Sequence, residues 1–360
     1  MIAGSQRTLA LANPRLGVCR GGPVTAPGRP GRCSSVEAMT PAPTYQPPAT
    51  DIYANRGRWA GHGEGKTVVV TGANAGLGFF ASLALADAGA RVILACRSQA
   101  RAGHAMEQIS ARVPHADLAF MQFDSSSIDS AISLAAELRT RPLHALIANA
   151  GIIRTPKDRQ PGLLGYEQAM STNFIGHARL VGELAEHFGS PLRFIGLGSL
   201  STRLLATDHE NLDLHRDYHP YRAYAQSKAA VQAFTLALDH RLRQLELPAR
   251  SLAIHPGYSI SGLTPQVPQI NEPGYSKRLA GQLQASFAQG KHEGAVALVE
   301  AALAPGLESA PRGTYLGPRY LSKGPISLAR PVKSTRGKAL QSKVWELFVQ
   351  ANGGLDPFAL

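Results

Sequence analysis

Tyr224 and Lys228 stand four residues apart, in the run Tyr-Ala-Gln-Ser-Lys. On a helix, this spacing places both side chains on the same face, one turn apart. A free phenol titrates at about pH 10 and is a poor acid–base catalyst at neutral pH, but a neighbouring ammonium favours the phenolate and lowers its pKa. The pair could therefore exchange a proton with a carbonyl–alcohol couple. The alternative is an exposed tyrosine and lysine that share a surface helix by chance.

A glycine-rich turn lies far upstream of this pair. Residues 66–70 are typical of a buried strand, residues 79–88 indicate a helix that Gly89 ends, and residues 91–95 predict a second strand. Between the first strand and the helix, residues 71–78 read Thr-Gly-Ala-Asn-Ala-Gly-Leu-Gly. This order favours a dinucleotide site, because the glycines let the backbone approach a pyrophosphate and the helix N-terminus attracts that anion. A tight turn without a ligand is the alternative.

The end of the second strand bears on the choice of dinucleotide. The strand ends Ala95-Cys96-Arg97, without an acid. NAD sites usually place an acid there to bind the ribose 2′-OH. Arg97 could instead make a forked, charge-assisted contact with a 2′-phosphate. The sequence therefore predicts NADP(H), with a solvated Arg97 at a helix start as the alternative.

Together with three later motifs, these residues resemble the short-chain dehydrogenase/reductase superfamily over roughly residues 64–350. The later motifs are Asn149-Ala150-Gly151, then Ser199, then His255-Pro256-Gly257. Several details look like the branch of the retinol dehydrogenases and protochlorophyllide reductases, namely residues 71–78, 95–97, 165–167, 172–177, 315–318 and 345–347.

The alternation of strand and helix patterns and the resemblance agree on an α/β fold. It is a doubly wound parallel sheet, the Rossmann fold. We expect a single domain over residues 56–311. A disordered or targeting tail over residues 1–55 precedes it, and a C-terminal extension over residues 312–360 packs on it.

The resemblance implies a role for each of four catalytic residues. Tyr224 would give the proton to the carbonyl oxygen or take it from the alcohol. Lys228 would lower the pKa of Tyr224 and bind the nicotinamide ribose. Ser199 would hydrogen-bond the reacting oxygen. Asn173 would hold a water that links Lys228 to solvent.

The resemblance also implies the coenzyme contacts. Asp124 would lie near the adenine, and residues 149–151 would support the coenzyme and the sheet. The implied coenzyme-binding residues are Thr71, Gly72, Asn74, Gly76, Leu77, Gly78, Arg97, Asp124, Asn149, Ala150, Gly151, Tyr224, Lys228, Pro256 and Gly257. The histidines show no ligand-like clustering, so we expect no metal.

Three of these assignments have open alternatives. Ser201 could replace Ser199, although Ser199 directly follows a predicted strand. Asn173 could be a helix-interior amide that bonds the backbone. The family often has a threonine after Pro-Gly that touches the nicotinamide amide, but this chain has none before Thr264. The nicotinamide contact is therefore in doubt.

The predicted function is reversible hydride transfer between NADP(H) and a small-molecule carbonyl or alcohol. The branch implies a lipophilic retinoid- or steroid-like substrate or a general aldehyde or ketone. We expect residues 200–220 and a mobile lid over residues 256–290 to form the substrate walls. One alternative is a non-catalytic, NADP-binding regulatory protein of the same fold. A light-dependent reductase is disfavoured, because Ala230 stands where that family has a cysteine.

The net charge of +12 is concentrated outside the central residues. Residues 51–311 carry 24 Lys+Arg and 22 Asp+Glu, whereas residues 312–345 carry eight Lys+Arg and no acid. We therefore expect no nucleic-acid partner, and the basic stretch is either solvated or touches a polyanion. No apolar run approaches the roughly 18 residues that a membrane span needs, so none is expected. The resemblance implies a homo-oligomer formed through two long helices, unless the basic stretch blocks that face.

The first 50 residues leave the compartment open. Residues 1–38 carry several Arg and Ser but no acid before Glu37, and residues 40–50 are rich in Pro. Such a segment cannot bury a core. It is either an organelle transit peptide or extra sequence upstream of a start at Met39. We expect a cytoplasmic protein, with organelle import through residues 1–50 as the alternative; the three cysteines fit a reducing compartment.

Overall fold

The computed structural model describes residues 59–359 of the chain, so the predicted tail over residues 1–55 lies outside the described residues. The strands are β1 (Thr67–Thr71), β2 (Arg91–Cys96), β3 (Asp117–Gln122), β4 (Ala145–Ala148), β5 (Arg193–Leu197), β6 (Arg250–Ile254), β7 (Ser259–Ile260), β8 (Gln289–Gly290), β9 (Tyr315–Pro318) and β10 (Ile326–Leu328). The α-helices are α1 (Gly76–Asp87), α2 (Gln99–Ser110), α3 (Ile128–Leu138), α4 (Gln168–Met170), α5 (Gly176–Glu183), α6 (Ser201–Leu204), α7 (Pro220–Gln244), α8 (Tyr275–Gln284), α9 (Lys291–Gly294), α10 (Val296–Leu303), α11 (Lys333–Arg336) and α12 (Lys338–Ala351).

Within these residues, eight strands form one sheet in the order β10-β9-β6-β5-β4-β1-β2-β3. All neighbours from β3 to β9 are parallel, and only β10 runs antiparallel to β9. β1 pairs with β2 on one side and with β4 on the other, so the strand order reverses at β1. Such a reversal opens a crevice outside the carboxyl ends of the strands, where ligands of this fold bind. The sheet confirms the predicted doubly wound α/β fold.

The central strand β1 is buried on both faces. Val68 and Val70 lie in one core, with α1, α2 and α10, whereas Val69 lies in the other, with α3, α5, α7 and α12. Successive side chains of a strand point to opposite faces, so a strand between two helical layers must be apolar throughout. This requirement explains the unbroken valine run that predicted the strand.

The helix α7 carries both Tyr224 and Lys228. It begins with Pro220 at its first position, where a missing N–H costs nothing, and His219 Nδ1 accepts a hydrogen bond from the Tyr221 N–H. The helix packs against β5 and β6, and the residues from 225 to 236 are all buried. The packing of this helix fixes the position of Tyr224 and Lys228 relative to the sheet.

The helical segment between residues 168 and 189 is interrupted. It consists of α4, a π-helical turn over Ser171–Ile175, α5 and a 3₁₀ turn over Ala185–Gly189. Asn173 lies in the π-helical turn, an irregularity that is common at functional sites.

The C-terminal residues contribute to both the sheet and its cover. β9 and β10 are the last two strands of the sheet, and α12 packs against α7 and α5. Phe348 of α12 is fully buried beside Phe234 of α7, with ring centroids 5.0 Å apart. The residues predicted to form an extension therefore complete the fold as well as packing on it.

Residues 256–290, which we call the lid, were expected as a loop over the substrate but contain regular structure. They hold β7, a 3₁₀ turn over Ser261–Leu263, α8 and β8, and β7 pairs with β8. The helix α8 packs its inner face, at Gly281, against Gly262.

No described helix meets the length and apolarity that crossing a bilayer requires.

Candidate active site

A cavity of about 620 Å³ opens at the carboxyl ends of the parallel strands. Its walls come from the turn after β1, the segment after β4, the segment after β5, the helix α7 and the lid. The predicted site residues that line it are Gly72, Asn74, Gly76, Leu77, Arg97, Asp124, Asn149, Ala150, Gly151, Ser199, Tyr224, Lys228, Pro256 and Gly257. The structure therefore brings together, in one cavity, most of the residues that the sequence singled out.

Three predicted residues support the cavity from behind rather than lining it. Thr71 is fully buried at the end of β1, Gly78 is buried within α1, and Asn173 is buried in the π-helical turn. They do not border the space in which a ligand would lie.

The glycine turn is shaped by close contacts with β4. Gly72 has a φ of +64°, and a Cβ at this position would lie 2.9 Å from the Ala150 Cα. A Cβ on Gly78 would lie 2.5 Å from the Asn149 side-chain nitrogen. Only glycine fits such a backbone approach without displacing its neighbours. The turn therefore fixes the start of α1 at the edge of the cavity.

The first turn of α1 has the properties of an anion site. The residue before the helix is Ala75, which offers no side-chain cap to the first N–H groups. The first N–H groups of a helix have no partner within the helix and carry the positive end of its dipole. Because Gly76 and Leu77 line the cavity, a phosphate placed there could accept hydrogen bonds from these groups.

Asn149 and Thr71 join the ends of β4 and β1. The Asn149 side-chain nitrogen donates to the Thr71 carbonyl oxygen over 2.8 Å, and Thr71 Oγ1 accepts from the N–H groups of Asn149 and Ala150, each over 2.9 Å. Burial lowers the pKa of His177 to about 3, so a neutral His177 ring shares a further hydrogen bond of 2.9 Å with Thr71 Oγ1. These bonds hold the floor of the cavity in place.

Arg97 stands at the end of β2, as expected. Its side chain is 66% exposed, and its Nη1 lies 3.9 Å from Asp124 Oδ2, a loose ion pair. Arg101, in the first turn of α2, lines the same cavity. Two guanidinium groups therefore stand beside one carboxylate in this part of the cavity.

The hydroxyl groups of Tyr224 and Ser199 are in contact. Tyr224 Oη donates a hydrogen bond to Ser199 Oγ over 3.2 Å. Ser201, the alternative hydroxyl, is buried, and its Oγ has no hydrogen-bond partner within residues 59–359. Its N–H donates instead to Ser199 Oγ over 3.2 Å. The geometry favours Ser199 as the hydroxyl that faces a reacting oxygen.

Lys228 is buried and has one polar partner in the described chain. Its Nζ donates to the Leu197 carbonyl oxygen, at the end of β5, over 2.9 Å. Burial lowers the pKa of Lys228 to about 8. A lysine with this pKa changes its charge close to neutral pH, which suits a group that passes a proton on to a proton donor.

The pKa of the Tyr224 phenol is raised, principally because burial penalises the phenolate, and the Ser199 hydrogen bond opposes this effect. The expectation from spacing alone was a pKa lowered by Lys228. The ammonium points to the Leu197 carbonyl, and it is not among the groups that lower the Tyr224 pKa. A neutral phenol is the form that can donate a proton.

Asn173 bonds its neighbours in the fold rather than its own helix. Its side-chain nitrogen donates to the Ile152 carbonyl oxygen over 3.0 Å and to Ser227 Oγ over 2.9 Å, and its Oδ1 accepts from the Ile152 N–H over 2.7 Å. Asn173 thus connects the segment after β4 to α7, next to Lys228. The helix-interior alternative does not describe these contacts.

The doubt about a nicotinamide contact after Pro256-Gly257 concerns Ser259 and Thr264. Ser259 lines the cavity, and its Oγ donates to the Pro256 carbonyl oxygen over 2.8 Å. Thr264 is fully buried, donates to the Ile260 carbonyl oxygen and accepts from the Lys291 N–H. A serine therefore occupies the wall beside Pro-Gly, and the threonine supports the lid.

Among the cavity residues that the sequence did not predict are two cations, Arg101 and Lys291. Arg101 lies four residues after Arg97, in the first turn of α2, and this nearness in sequence could have signalled a second cation. Lys291 begins α9 and has no such local signal, because its partner surface is more than 200 residues earlier in the chain.

No cluster of three or more potential metal ligands occurs among the described residues.

Comparison with known proteins agrees with the fold. A family model described as short chain dehydrogenase matches residues 66–193. Mouse (Mus musculus) polyprenol dehydrogenase is 31% identical over 291 residues, which cover 78% of this chain and 82% of that protein. Mouse retinol dehydrogenase 12 is 31% identical over 248 residues, covering 68% of this chain and 75% of that protein.

Solved structures show the same architecture. A structure of an uncharacterized protein from Mycobacterium paratuberculosis aligns with a TM-score of 0.64 and 27% identity, covering 81% of this chain and 94% of that one. An NADPH-dependent 3-quinuclidinone reductase from Rhodotorula rubra aligns with a TM-score of 0.53 and 23% identity, covering 77% and 96%, and so shows the fold alone. With its sheet, its cavity and its relatives, the chain belongs to the short-chain dehydrogenase/reductase family of oxidoreductases, in the branch that resembles the retinol dehydrogenases.

Proposed function

We propose that the protein transfers a hydride reversibly between NADP(H) and a lipophilic carbonyl or alcohol. The observation that supports this most is the 3.2 Å hydrogen bond between Tyr224 Oη and Ser199 Oγ, inside the cavity that the glycine turn and Lys228 also line. Such a reaction requires a proton donor, a hydroxyl that binds the substrate oxygen, and an anion site for the coenzyme diphosphate.

The cavity residues fit a dinucleotide. The open first turn of α1 and the close backbone approach at Gly72 would hold its diphosphate, and Tyr224 and Lys228 would stand near its nicotinamide ribose. When bound, the coenzyme supplies or accepts the hydride. In the direction of reduction, Ser199 donates a hydrogen bond to the substrate oxygen and Tyr224 gives that oxygen its proton. The proton that Tyr224 gives up would be replaced from solvent, by way of Lys228 and a water that Asn173 would hold.

The proposal of NADP(H) over NAD(H) depends on the cations near β2. Arg97 is largely exposed to the cavity mouth, and Arg101 lines the same cavity. β2 ends without the acid that would bind a ribose 2′-OH. Two guanidinium groups suit the doubly charged 2′-phosphate better than they suit a hydroxyl.

The proposal of a lipophilic substrate depends on the outer wall of the cavity. Ile153 and Leu204 line it and are 68% and 66% exposed, and Tyr221 and Tyr258 stand beside them. Retinol and polyprenol, which name two of the relatives, are both long isoprenoid alcohols. An apolar wall next to the Tyr224–Ser199 pair favours an alcohol or aldehyde with a hydrocarbon body.

The test is an aldehyde and ketone panel that includes retinal, followed at the NADPH absorbance band in the dark. We expect turnover by the wild-type protein and a loss of at least about a hundredfold in Tyr224→Phe, because a general acid contributes about this much. Coenzyme binding, measured by titration of NADPH fluorescence, should change little. Turnover retained in Tyr224→Phe would refute the assigned proton donor.

The non-catalytic alternative makes a different prediction in the same experiment. A regulatory protein would bind NADPH but turn over no member of the panel, with or without Tyr224. The paired Tyr224 and Ser199 hydroxyls are not required for binding alone, so their contact favours the enzyme.

A further inference from the structure

A lysine directly after the lid reaches the anion site at the start of α1. Lys291 is the first residue of α9, directly after β8, and its side chain lines the cavity. A Cβ built on Gly76, the first residue of α1, would lie 3.9 Å from the Lys291 Nζ. The ammonium group therefore stands over the N-terminus of α1, where the helix dipole and the uncapped N–H groups already favour an anion.

The Lys291 ammonium has no anionic partner in the described part of the chain. No carboxylate within residues 59–359 forms an ion pair with it, and only its backbone N–H takes part in a described side-chain contact, with Thr264 Oγ1. Burial lowers the pKa of Lys291, and the positive charge of Lys277 lowers it further. A half-buried cation without a counter-ion is unfavourable, unless a ligand supplies the negative charge.

Hydrogen bonds fix the backbone around Lys291, so its side chain starts from a defined position beside the cavity. The Lys291 N–H donates to Thr264 Oγ1 over 2.8 Å, and the Glu293 carboxylate accepts from the Gly290 N–H over 2.6 Å. Thr264 and β8 belong to the lid. The position of Lys291 is therefore fixed by the same segment that borders the substrate space.

We propose that Lys291 is a ligand of the coenzyme diphosphate, supplied by the lid, so that the coenzyme holds the lid in place. Four features support the assignment: the uncapped start of α1, the ammonium above it, the missing counter-ion and the attachment of Lys291 to the lid. The inference rests on the proposed function, because it requires a dinucleotide in this cavity. It does not depend on the choice between NADP(H) and NAD(H), since both carry the diphosphate.

The experiment compares two ligands that differ in the diphosphate. NADPH carries it, whereas adenosine 2′-monophosphate has the adenosine and the 2′-phosphate alone. In the full-length protein, Lys291→Gln should raise the Kd of NADPH about tenfold to a hundredfold, the effect expected for a charge-assisted hydrogen bond. The Kd of adenosine 2′-monophosphate, measured by its displacement of NADPH and followed by NADPH fluorescence, should stay unchanged. Lys291→Arg should retain NADPH binding within about threefold, because it keeps the charge.

Lys277→Gln is the control, since Lys277 lies on the lid, is exposed and does not line the cavity. Its positive charge lowers the pKa of Lys291, so its removal favours the charged form of Lys291 and should not weaken NADPH binding. An unchanged Kd for NADPH in Lys291→Gln, or an equal loss in Lys277→Gln, would overturn the inference. An equal loss of both ligands in Lys291→Gln would also overturn it, because the effect would then not act through the diphosphate.

Hydrogen exchange of residues 256–290 tests the connection to the lid. Saturating NADPH should slow exchange in the wild-type lid and slow it less in Lys291→Gln; equal protection would overturn the proposal. If the wild-type protein bound neither NADPH nor NADH, both the proposed function and this inference would fail. If it bound NADPH and Lys291→Gln bound it equally well, only the inference would fail.

Discussion

The hydroxyl of Tyr224 and that of Ser199 lie 3.2 Å apart, although 25 residues separate them in the chain. Ser199 follows β5 by two residues, and Tyr224 lies in the second turn of α7. The packing of α7 against β5 therefore sets the distance between Tyr224, the proposed proton donor, and the hydroxyl that would hold the substrate oxygen. A shift of about 1 Å in this packing would impair catalysis without removing either group.

Ser199→Ala should lower kcat/KM by about a hundredfold to a thousandfold, since one hydrogen-bond donor to a reacting oxygen contributes about that much. The Kd of NADPH should change little, because Ser199 acts on the substrate. Steady-state kinetics on the best aldehyde of the panel, with NADPH titration alongside, would measure both.

Ser201→Ala is the control for this prediction. Ser201 lies two residues later and lines the same cavity, but its hydroxyl has no partner among the described residues. We expect it to keep most of the activity. A larger loss in Ser201→Ala than in Ser199→Ala would show that the wrong serine has been assigned.

The strands and the placement of Tyr224 and Lys228 on one helix could be predicted because their signals are local. The valine run of β1 and the glycine turn after it are contiguous in sequence and form one contiguous unit of structure. Tyr224 and Lys228 share a helix, so their relation follows from the helical repeat. The order of these motifs along the chain then predicted the sheet.

The remaining features depend on contacts between distant segments. The π-helical turn at Asn173 accompanies bonds to Ile152 and Ser227, which lie 21 and 54 residues away. The raised pKa of Tyr224 comes from burial, which the spacing to Lys228 does not reveal. Lys291 lies near Gly76 although 215 residues separate them in the chain. No local pattern encodes these relations.

Arg97→Ala should weaken NADPH binding about tenfold to a hundredfold and leave NADH binding nearly unchanged, because only the 2′-phosphate gains a charge-assisted contact. Fluorescence titration with both coenzymes gives the ratio. Arg91→Ala is a matched control: this exposed arginine begins the same strand, β2, and pairs with Asp117. A loss of NADPH and NADH binding in equal measure in Arg97→Ala would contradict the proposed preference.

Lys228→Met should abolish turnover but stabilise the coenzyme-free protein at pH 7. Burial lowers the pKa of Lys228 from 10.5 to about 8, so below pH 8 the folded protein carries a buried charge that costs stability. The free energy of unfolding should rise by about 1–2 kcal/mol. The cost of burying the Lys228 ammonium exceeds the contribution of its hydrogen bond to the Leu197 carbonyl. Urea denaturation at pH 7 measures it.

The pH dependence identifies the cause of this stabilisation. Between about pH 8 and 10.5 the unfolded chain binds more protons at Lys228 than the folded protein does, so wild-type stability rises with pH there. The gap between Lys228→Met and wild type should shrink over that window. Tyr224 is present in both proteins, so its titration largely cancels. A gap between Lys228→Met and wild type that stays constant from about pH 8 to 10.5 would disprove the charge explanation.

Phe348→Ala should destabilise the protein by about 3–5 kcal/mol, the usual cost of removing a buried aromatic ring. The ring is fully buried among Phe234 of α7, Trp345 and Phe358, so its loss would leave a cavity between α12 and α7. Leu355→Ala, at a position 74% exposed just beyond α12, should change the free energy of unfolding by no more than about 0.5 kcal/mol. Chemical denaturation of both variants at pH 7 measures the difference. If Phe348→Ala were as mild as Leu355→Ala, the C-terminal helix would be a separable appendage, and α7 would hold Tyr224 in place without it.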